Sequence, residues 1–359
     1  MLAALRDNRL NLLAVAAPVC WVLVAVAPGS PWIFLTAAIS LVPLAGVIGL
    51  GTEQLARQSG PVLGGFLNAT FGNAAELIIG VIALNQGHIG LVKASITGSI
   101  VGNLLLVLGL SCFVGGIGRR SQKFNRTTAT NTAVMLFLAV VALVVPAVFD
   151  LALFGSLTPR PPAIDRLSFF TALVLMVAYA GNLIYAFSAG HDLLRAGRED
   201  EHDAPQMTSR AAMGLLAVGT VLTAVQSEVL VSALGPALSQ FGLTELFVGV
   251  FVVAIVGNAA EHYSAVTAAR RNDMTLAIEI AVGSSAQIAL LVAPLIVLYS
   301  YALGRPMSLL FDPFEIVAIT LSVLATVIVV GDGESNWVEG LQLMAVYLIL
   351  GVAFYLVPG

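Results

Sequence analysis

Charge is scarce in this chain of 359 residues. Asp, Glu, Lys and Arg make up only 10% of the sequence, whereas 58% is hydrophobic and the mean hydropathy is +0.97. Soluble domains carry about 25% charged residues, so this chain has too little charge to cover a surface that faces water. The deficit excludes a soluble protein, gives no reason to expect a nucleic-acid partner, and predicts an integral membrane protein surrounded by lipid.

Cysteine and histidine are also rare, with two and four residues. Cys20 and Cys112 lie in different apolar segments and match neither a disulfide framework nor a zinc spacing. The sequence contains no H-E-x-x-H motif and no Ser-His pairing at a motif-like position. We therefore expect neither an intramembrane enzyme nor a bound cofactor.

The hydrophobic residues fall into about eleven stretches, each near the 20 residues that cross a bilayer. These stretches predict an all-α integral membrane protein of about eleven transmembrane helices. They cover residues 10–27, 32–56, 62–86, 89–117, 128–149, 167–190, 211–238, 245–268, 275–301, 313–331 and 338–357.

Basic residues predict the orientation of these helices. If the N-terminus is cytoplasmic, 12 of the 16 basic residues fall on the cytoplasmic side. Cytoplasmic loops carry an excess of Lys and Arg, so this orientation is favoured and the C-terminus is expected outside. The 12 are Arg6, Arg9, Arg57, Arg119, Arg120, Lys123, Arg126, Arg195, Arg198, Arg210, Arg270 and Arg271.

One motif occurs twice. The sequence G-N-A-A-E ends at Glu76 and recurs 185 residues later, ending at Glu261. Residues 66–80 and 251–265 share seven identities in 15 positions. Each copy places a carboxylate inside an apolar stretch, at a cost of about 2.5 to 3.5 kcal/mol on insertion scales. Such groups persist mainly where they bind ions or protons, so the two copies predict one shared site.

Further similarities flank each copy of the motif in the same order. A hydroxyl residue and a glutamate precede it, and a Gly-Ser pair with a nearby carboxamide follows it. The preceding pairs are Thr52-Glu53 and Ser227-Glu228, and the following groups are Gly98-Ser99 with Asn103 and Gly283-Ser284-Ser285 with Gln287. The whole chain is therefore interpreted as an internal duplication.

The number of helices predicts how the two copies are related. One extra helix in residues 1–29 leaves five helices in residues 30–195 and five in residues 208–359. Because five is odd, the repeats are inverted, as in many secondary transporters with a site at the midplane. Residues 196–207 form an acidic cytoplasmic linker, interpreted either as a solvated connection or as a segment that concentrates divalent cations.

The residue types of the two motifs predict the chemistry of the site. Two carboxylates with carboxamide, hydroxyl and backbone oxygens suit Ca²⁺, which takes about 6 to 8 oxygen ligands, although Mn²⁺ also accepts oxygen. Burial and a second carboxylate nearby favour protonation of an empty site, whereas a divalent cation favours both charged forms. Competition between Ca²⁺ and protons for the same pair is antiport in its minimal form.

The duplicated motif, the preceding glutamates and the Gly-Ser segments resemble the cation/proton exchanger (CAX) family of the Ca²⁺/cation antiporter superfamily. The resemblance covers nearly the whole chain and implies eleven helices, with an inverted five-plus-five core. It implies export of cytosolic Ca²⁺ by proton exchange, with Glu76 and Glu261 as central ligands and proton carriers and with Asn73 and Asn258 completing the site.

Other residues receive accessory roles from this resemblance. Glu53 and Glu228 would relay protons or coordinate the cation in one access state, and Asn103 and Gln287 would be polar neighbours. Ser99, Ser284 and Ser285 either contribute to the site or only pack small helix faces together.

Three alternatives remain: a Na⁺-coupled exchanger of the same superfamily, a Mn²⁺-accepting exchanger, and a cation channel. A prokaryotic cytoplasmic membrane is the simplest location, and the sequence does not fix the oligomeric state.

Overall fold

The apolar stretches form α-helices, because a backbone in lipid must satisfy its hydrogen bonds within its own segment. The computed structural model describes residues 9–155, 163–189 and 207–358. A 3₁₀ turn at Arg9–Val15 precedes the first helix. The helices are α1 Ala16–Val26, α2 Pro31–Gln58, α3 Gly60–Phe71, α4 Ala74–Asn85, α5 Ile89–Gly116, α6 Arg126–Phe154, α7 Ala163–Ala189, α8 Ser209–Ser232, α9 Leu234–Phe241, α10 Glu245–Gly257, α11 Ala259–Arg270, α12 Met274–Ala302, α13 Pro313–Val329 and α14 Trp337–Leu356.

The molecule is a multi-pass, all-helical membrane protein. Within the described ranges, seven helices are long and apolar enough to cross a membrane, namely α2, α5, α6, α7, α8, α12 and α14. The pair α9 and α10, bent by 112°, gives an eighth span if it is counted as one. Segment Leu12–Val26 and helices α4 and α13 are apolar but shorter. The total of eleven spans therefore stays a prediction.

Each copy of the motif lies at a break between two helices. Helix α3 ends at Phe71 and α4 begins at Ala74, and α10 ends at Gly257 before α11 begins at Ala259. Asn73 and Asn258 stand at the breaks with non-helical backbone angles. Each motif glutamate consequently lies in the first turn of a helix, where the partial positive charge of the N-terminus favours a carboxylate.

The turns that follow the two motifs have the same backbone geometry. Gly87 and Asn272, 185 residues apart, are both left-handed, with φ of 88° and 68°. His88 N donates to Ala83 O at 2.9 Å, and Asp273 N donates to Ala268 O at 3.0 Å. The similarity of the two copies therefore extends through the α4–α5 and α11–α12 turns.

Helix α5 packs against α10 through glycine. A Cβ atom at Gly98 would overlap the backbone of Val250, and one at Gly249 would overlap Ala94. Small residues let membrane helices approach closely. The close approach brings Ser99 and Asn103 of α5 beside the second motif.

The two ends of the helix bundle differ in charge. The "basic end" carries the α6 start and the α11–α12 turn, with Arg119, Arg120, Lys123, Arg126, Arg270 and Arg271. Two-residue strands, β1 Gln122–Lys123 and β2 Glu334–Ser335, pair antiparallel there, and Gln122 Nε2 donates to Ala269 O at 3.0 Å. The "opposite end" carries the α4–α5 turn, and Lys93 Nζ donates there to Leu310 O at 2.7 Å.

The predicted domain boundaries stay predictions. The acidic residues Glu199, Asp200, Glu201 and Asp203 lie outside the described residues, as do residues 1–8 at the start of the chain.

We expect Gly98→Ala to lower the free energy of unfolding by about 1–3 kcal/mol, the usual cost of overpacking, because the methyl group would overlap Val250. Gly283→Ala is the matched control, 185 residues later, with no atom within 4 Å of an added Cβ. That control should be neutral or stabilising, since Ala favours a helix over Gly by up to about 1 kcal/mol. Thermal unfolding in detergent measures both variants, and equal effects would contradict the prediction.

Candidate cation site

The two motif glutamates meet in the interior of the bundle. Glu76 and Glu261 are close enough for their charges to interact. A Cβ atom at Gly257 would lie 3.3 Å from Glu76 Cγ and 3.4 Å from its Oε1. The carboxylate of the first motif is therefore packed against the backbone of the second motif.

Both motif glutamates are half-buried residues. The two carboxylate oxygens of Glu76 are themselves buried and accept no hydrogen bond from the described residues. The carboxylate of Glu76 is therefore shielded from water, although the residue as a whole is not fully buried.

Carboxamides connect the two halves of the chain in a crossed arrangement. Asn73 Nδ2 of the first motif donates to Gln287 Oε1 at 2.5 Å. Asn103 Nδ2 donates to Asn258 Oδ1 of the second motif at 3.2 Å. Each motif is therefore hydrogen-bonded to the carboxamide that follows the other motif, and the structure brings the four predicted carboxamides together in two pairs.

Ser99 supports the second motif. Its Oγ accepts from Asn258 Nδ2 at 2.8 Å, and the same nitrogen donates to Ala254 O at 2.9 Å. Ser284 is buried on α12. Its neighbour Ser285 donates to Ala281 O at 3.0 Å.

The crossed bonds use amide hydrogens and leave oxygens without donors. Four buried oxygens, Asn73 Oδ1, Asn103 Oδ1 and both carboxylate oxygens of Glu76, accept no hydrogen bond within the described part of the chain. Leaving a buried polar group unpaired costs about 1–3 kcal/mol, and more for a charged one. A cation or protons would remove that cost, and an all-oxygen set suits a hard cation.

No larger ligand cluster surrounds these oxygens. Among residues 9–155, 163–189 and 207–358, no group of three or more His, Cys, Asp or Glu side chains could hold a metal ion. The site combines carboxylates with neutral amides.

Glu53 and Glu228 lie away from this centre. Glu53 Oε1 is 2.6 Å from Arg57 and its side chain is 52% exposed, while exposed Glu228 accepts from Gln86 Nε2 at 2.8 Å. Helices α2 and α8 run antiparallel, since Gln58 at the end of α2 donates to Met207 O just before α8. The two glutamates are therefore at opposite ends of the bundle, and their accessory roles stay predictions.

The sequence analysis did not single out Gln86, which joins α4 to α8 through Glu228. The sequence feature that could have drawn attention to it is its position ten residues after Glu76, which matches the position of Arg271 ten residues after Glu261. Thr52 and Ser227, the hydroxyl residues directly before Glu53 and Glu228, are less exposed than those glutamates, with exposed fractions of 1% and 0%.

Broken helices whose paired carboxylate motifs meet inside an apolar bundle define an all-helical membrane transporter. The chain belongs to the sodium/calcium exchanger protein family, whose model matches residues 29–188 and 211–356. The resemblance to cation/proton exchangers read from the motifs is confirmed by the relatives that follow.

Two curated relatives are similar over most of their length. A Ca²⁺/H⁺ antiporter of Aphanothece halophytica is 42% identical over 340 residues, covering 91% of this chain and 90% of the relative. The Ca²⁺/H⁺ antiporter ChaA of Bacillus subtilis is 40% identical, covering 90% of this chain and 92% of the relative.

Solved structures agree with the fold. Native YfkE superposes with a TM-score of 0.83 at 38% identity, covering 96% of this chain and 99% of that one. An H⁺/Ca²⁺ exchanger CAX has a TM-score of 0.72 at 16% identity, covering 97% of this chain and 91% of that one. The latter similarity supports the fold alone.

We expect Gln287→Met to lower the free energy of unfolding by about 1–3 kcal/mol, because the buried Asn73 amide would lose its acceptor. Ser99→Ala is the comparison, because Asn258 Nδ2 would keep its bond to Ala254 O. Thermal unfolding without divalent cations measures both, and a larger loss for Ser99→Ala would show that the crossed bond is not the stronger support.

Proposed function

We infer that this chain is a secondary transporter that exchanges Ca²⁺ for protons. The observation that carries the inference is the Glu76 carboxylate, which is buried against Gly257 and close to Glu261 and has no hydrogen-bond donor in the part of the chain that the structure describes. Two neighbouring carboxylates inside a membrane bundle require a positive partner, either a divalent cation or protons. The Ca²⁺/H⁺ antiporters at 40–42% identity support this choice of partners.

In the cation-bound state, Glu76 and Glu261 supply the charged ligands. Asn73 Oδ1 and Asn103 Oδ1 are the neutral oxygens free to complete the set. Asn258 takes part through its Oδ1, which the Asn103 amide also contacts. Ser99 and Gln287 fix the orientation of the two motif asparagines. Ser284, another predicted residue, is buried on the same helix as Gln287.

When the cation leaves, the same carboxylates take up protons. Two negative charges side by side in a low dielectric are unfavourable, so departure of Ca²⁺ is followed by protonation of the pair. Protonation in turn removes the charge that attracts the next cation. Exchange of one Ca²⁺ for two protons keeps the site neutral in both states, because either the one cation or the two protons neutralise the two carboxylates.

We also propose that the chain contains two inverted five-helix repeats after one extra helix. The shared geometry of the turns at Gly87 and Asn272 and the crossed carboxamides support this arrangement. Eleven spans result if α3 with α4 and α10 with α11 each count as one broken span and α9 does not cross. The first repeat then occupies residues 30–195 and the second residues 208–359.

The proposed orientation places the basic end in the cytoplasm, following the positive-inside rule. Glu53 then lies toward the cytoplasm and Glu228 toward the outside. Movement of protons inward would drive Ca²⁺ out of the cytosol, and the location is a prokaryotic cytoplasmic membrane.

Proteoliposomes with an acidic interior test this function. We expect the wild type to take up Ca²⁺ until an uncoupler removes the pH gradient. Glu261→Gln or Glu76→Gln should weaken Ca²⁺ binding by roughly 100-fold or more, because losing one charged partner of a buried ion pair, here the carboxylate that faces Ca²⁺, costs about 3–5 kcal/mol.

Glu334→Gln is the matched control, since Glu334 is a carboxylate at the basic end whose partner is Lys123 at 3.6 Å. It should retain uptake. Uptake driven by a sodium gradient and indifferent to pH would instead assign a Na⁺-coupled exchanger, and a steady cation current without proton coupling would assign a channel.

A further inference from the structure

At the opposite end of the bundle, the α4–α5 turn is tied to helices of the second half. Gln86 Nε2 donates to Glu228 Oε1 at 2.8 Å and to Ser232 Oγ at 3.3 Å, both on α8. His88 Nδ1 lies 2.7 Å from Glu245 Oε1 at the start of α10. These contacts hold this end of α4 and α5 against the other half of the chain.

The corresponding positions at the basic end are Arg271 and Glu53. Arg271 follows its motif glutamate by ten residues, as Gln86 does, and each directly precedes a left-handed residue. Glu53 follows a buried hydroxyl residue near the end of α2, as Glu228 does near the end of α8. Helix α2 packs against α11, as α8 packs against α4.

The contact found at the opposite end is not made at the basic end. Glu53 is paired with Arg57 of its own helix at 2.6 Å. Arg271 is exposed, and its guanidinium has no hydrogen bond or ion pair with another described residue. The two ends of the bundle are therefore in different states, one closed by Gln86 and Glu228 and the other without its equivalent contact.

We propose that Glu53 and Arg271 form an ion pair that closes the basic end when the Gln86–Glu228 contact opens. The inference rests on the proposed function and its inverted repeats. In this structure the Glu53 carboxylate is paired with Arg57. Arg271 must therefore displace Arg57 from this carboxylate to form the proposed ion pair. An arginine can bind a carboxylate through two parallel N–H donors, which suits a contact that must form and break in each cycle.

Exchanging the two charges tests the pair. Glu53→Arg or Arg271→Glu alone should lower the rate of proton-driven Ca²⁺ uptake roughly two- to fivefold, the population shift expected for an exposed ion pair. Glu53→Arg combined with Arg271→Glu should restore most of the rate. The matched control combines Glu53→Arg with Arg270→Glu. It makes the same change in charge one residue away from Arg271, and it should not restore the rate of Ca²⁺ uptake.

Cross-linking supplies a second measurement that does not depend on charge. In a background with Cys20→Ala and Cys112→Ala, Glu53→Cys with Arg271→Cys should react with a bis-methanethiosulfonate whose spacer matches an extended Glu–Arg pair. Cross-linking should stop transport, and reduction should restore it. Gln58→Cys with Ser209→Cys is the control, because these side chains already touch at 2.6 Å and their cross-link should leave transport running.

Failure of the charge exchange, equal rescue through Arg270, or a Glu53–Arg271 cross-link that leaves transport unchanged would overturn the ion pair. Each of these outcomes counts against the ion pair only when the wild type performs proton-driven Ca²⁺ uptake in the same assay. Loss of that uptake in the wild type would instead overturn the proposed function.

Discussion

The structure depends on the burial of two carboxylates beside each other in a molecule surrounded by lipid. Within the described residues, neither Glu76 nor Glu261 forms an ion pair with a basic side chain, and both oxygens of Glu76 lack a hydrogen-bond donor. Helix breaks at Asn73 and Asn258 place each glutamate in the first turn of a helix, where unpaired backbone N–H groups partly compensate a negative charge. The compensation is incomplete, so the pair stays dependent on a mobile positive ion.

Glycine makes this geometry possible. Gly257 leaves room for the Glu76 side chain, and Gly98 lets α5 approach α10 closely enough for Ser99 and Asn103 to reach Asn258. The crossed carboxamide bonds then hold the amide groups so that oxygen atoms, rather than N–H groups, are left free. Packing of small residues thus determines which atoms are available to a cation.

The helical membrane class and the family were predicted correctly from the sequence, because hydropathy and a repeated motif are local signals, whereas the binding roles of the central residues stay predictions. Predicted stretches such as 32–56 and 89–117 agree closely with Pro31–Gln58 and Ile89–Gly116. The 112° bend between α9 and α10 was not predicted, since hydropathy does not report backbone direction. Glu53 and Glu228 were expected on helices next to the centre, and their accessory roles stay predictions, because sequence order does not reveal how far along a helix a side chain lies from a site.

The crossed carboxamides have a consequence for biosynthesis. Asn73 and Asn103 belong to the first half of the chain, whereas their partners Gln287 and Asn258 belong to the second. During synthesis the first half enters the membrane before Gln287 and Asn258 have been translated. The amides of Asn73 and Asn103 therefore stay without these partners in lipid, or stay near the interface, until the second half follows. Neither half can satisfy these amides alone, and insertion of the second half is the step that completes the hydrogen bonds of the first.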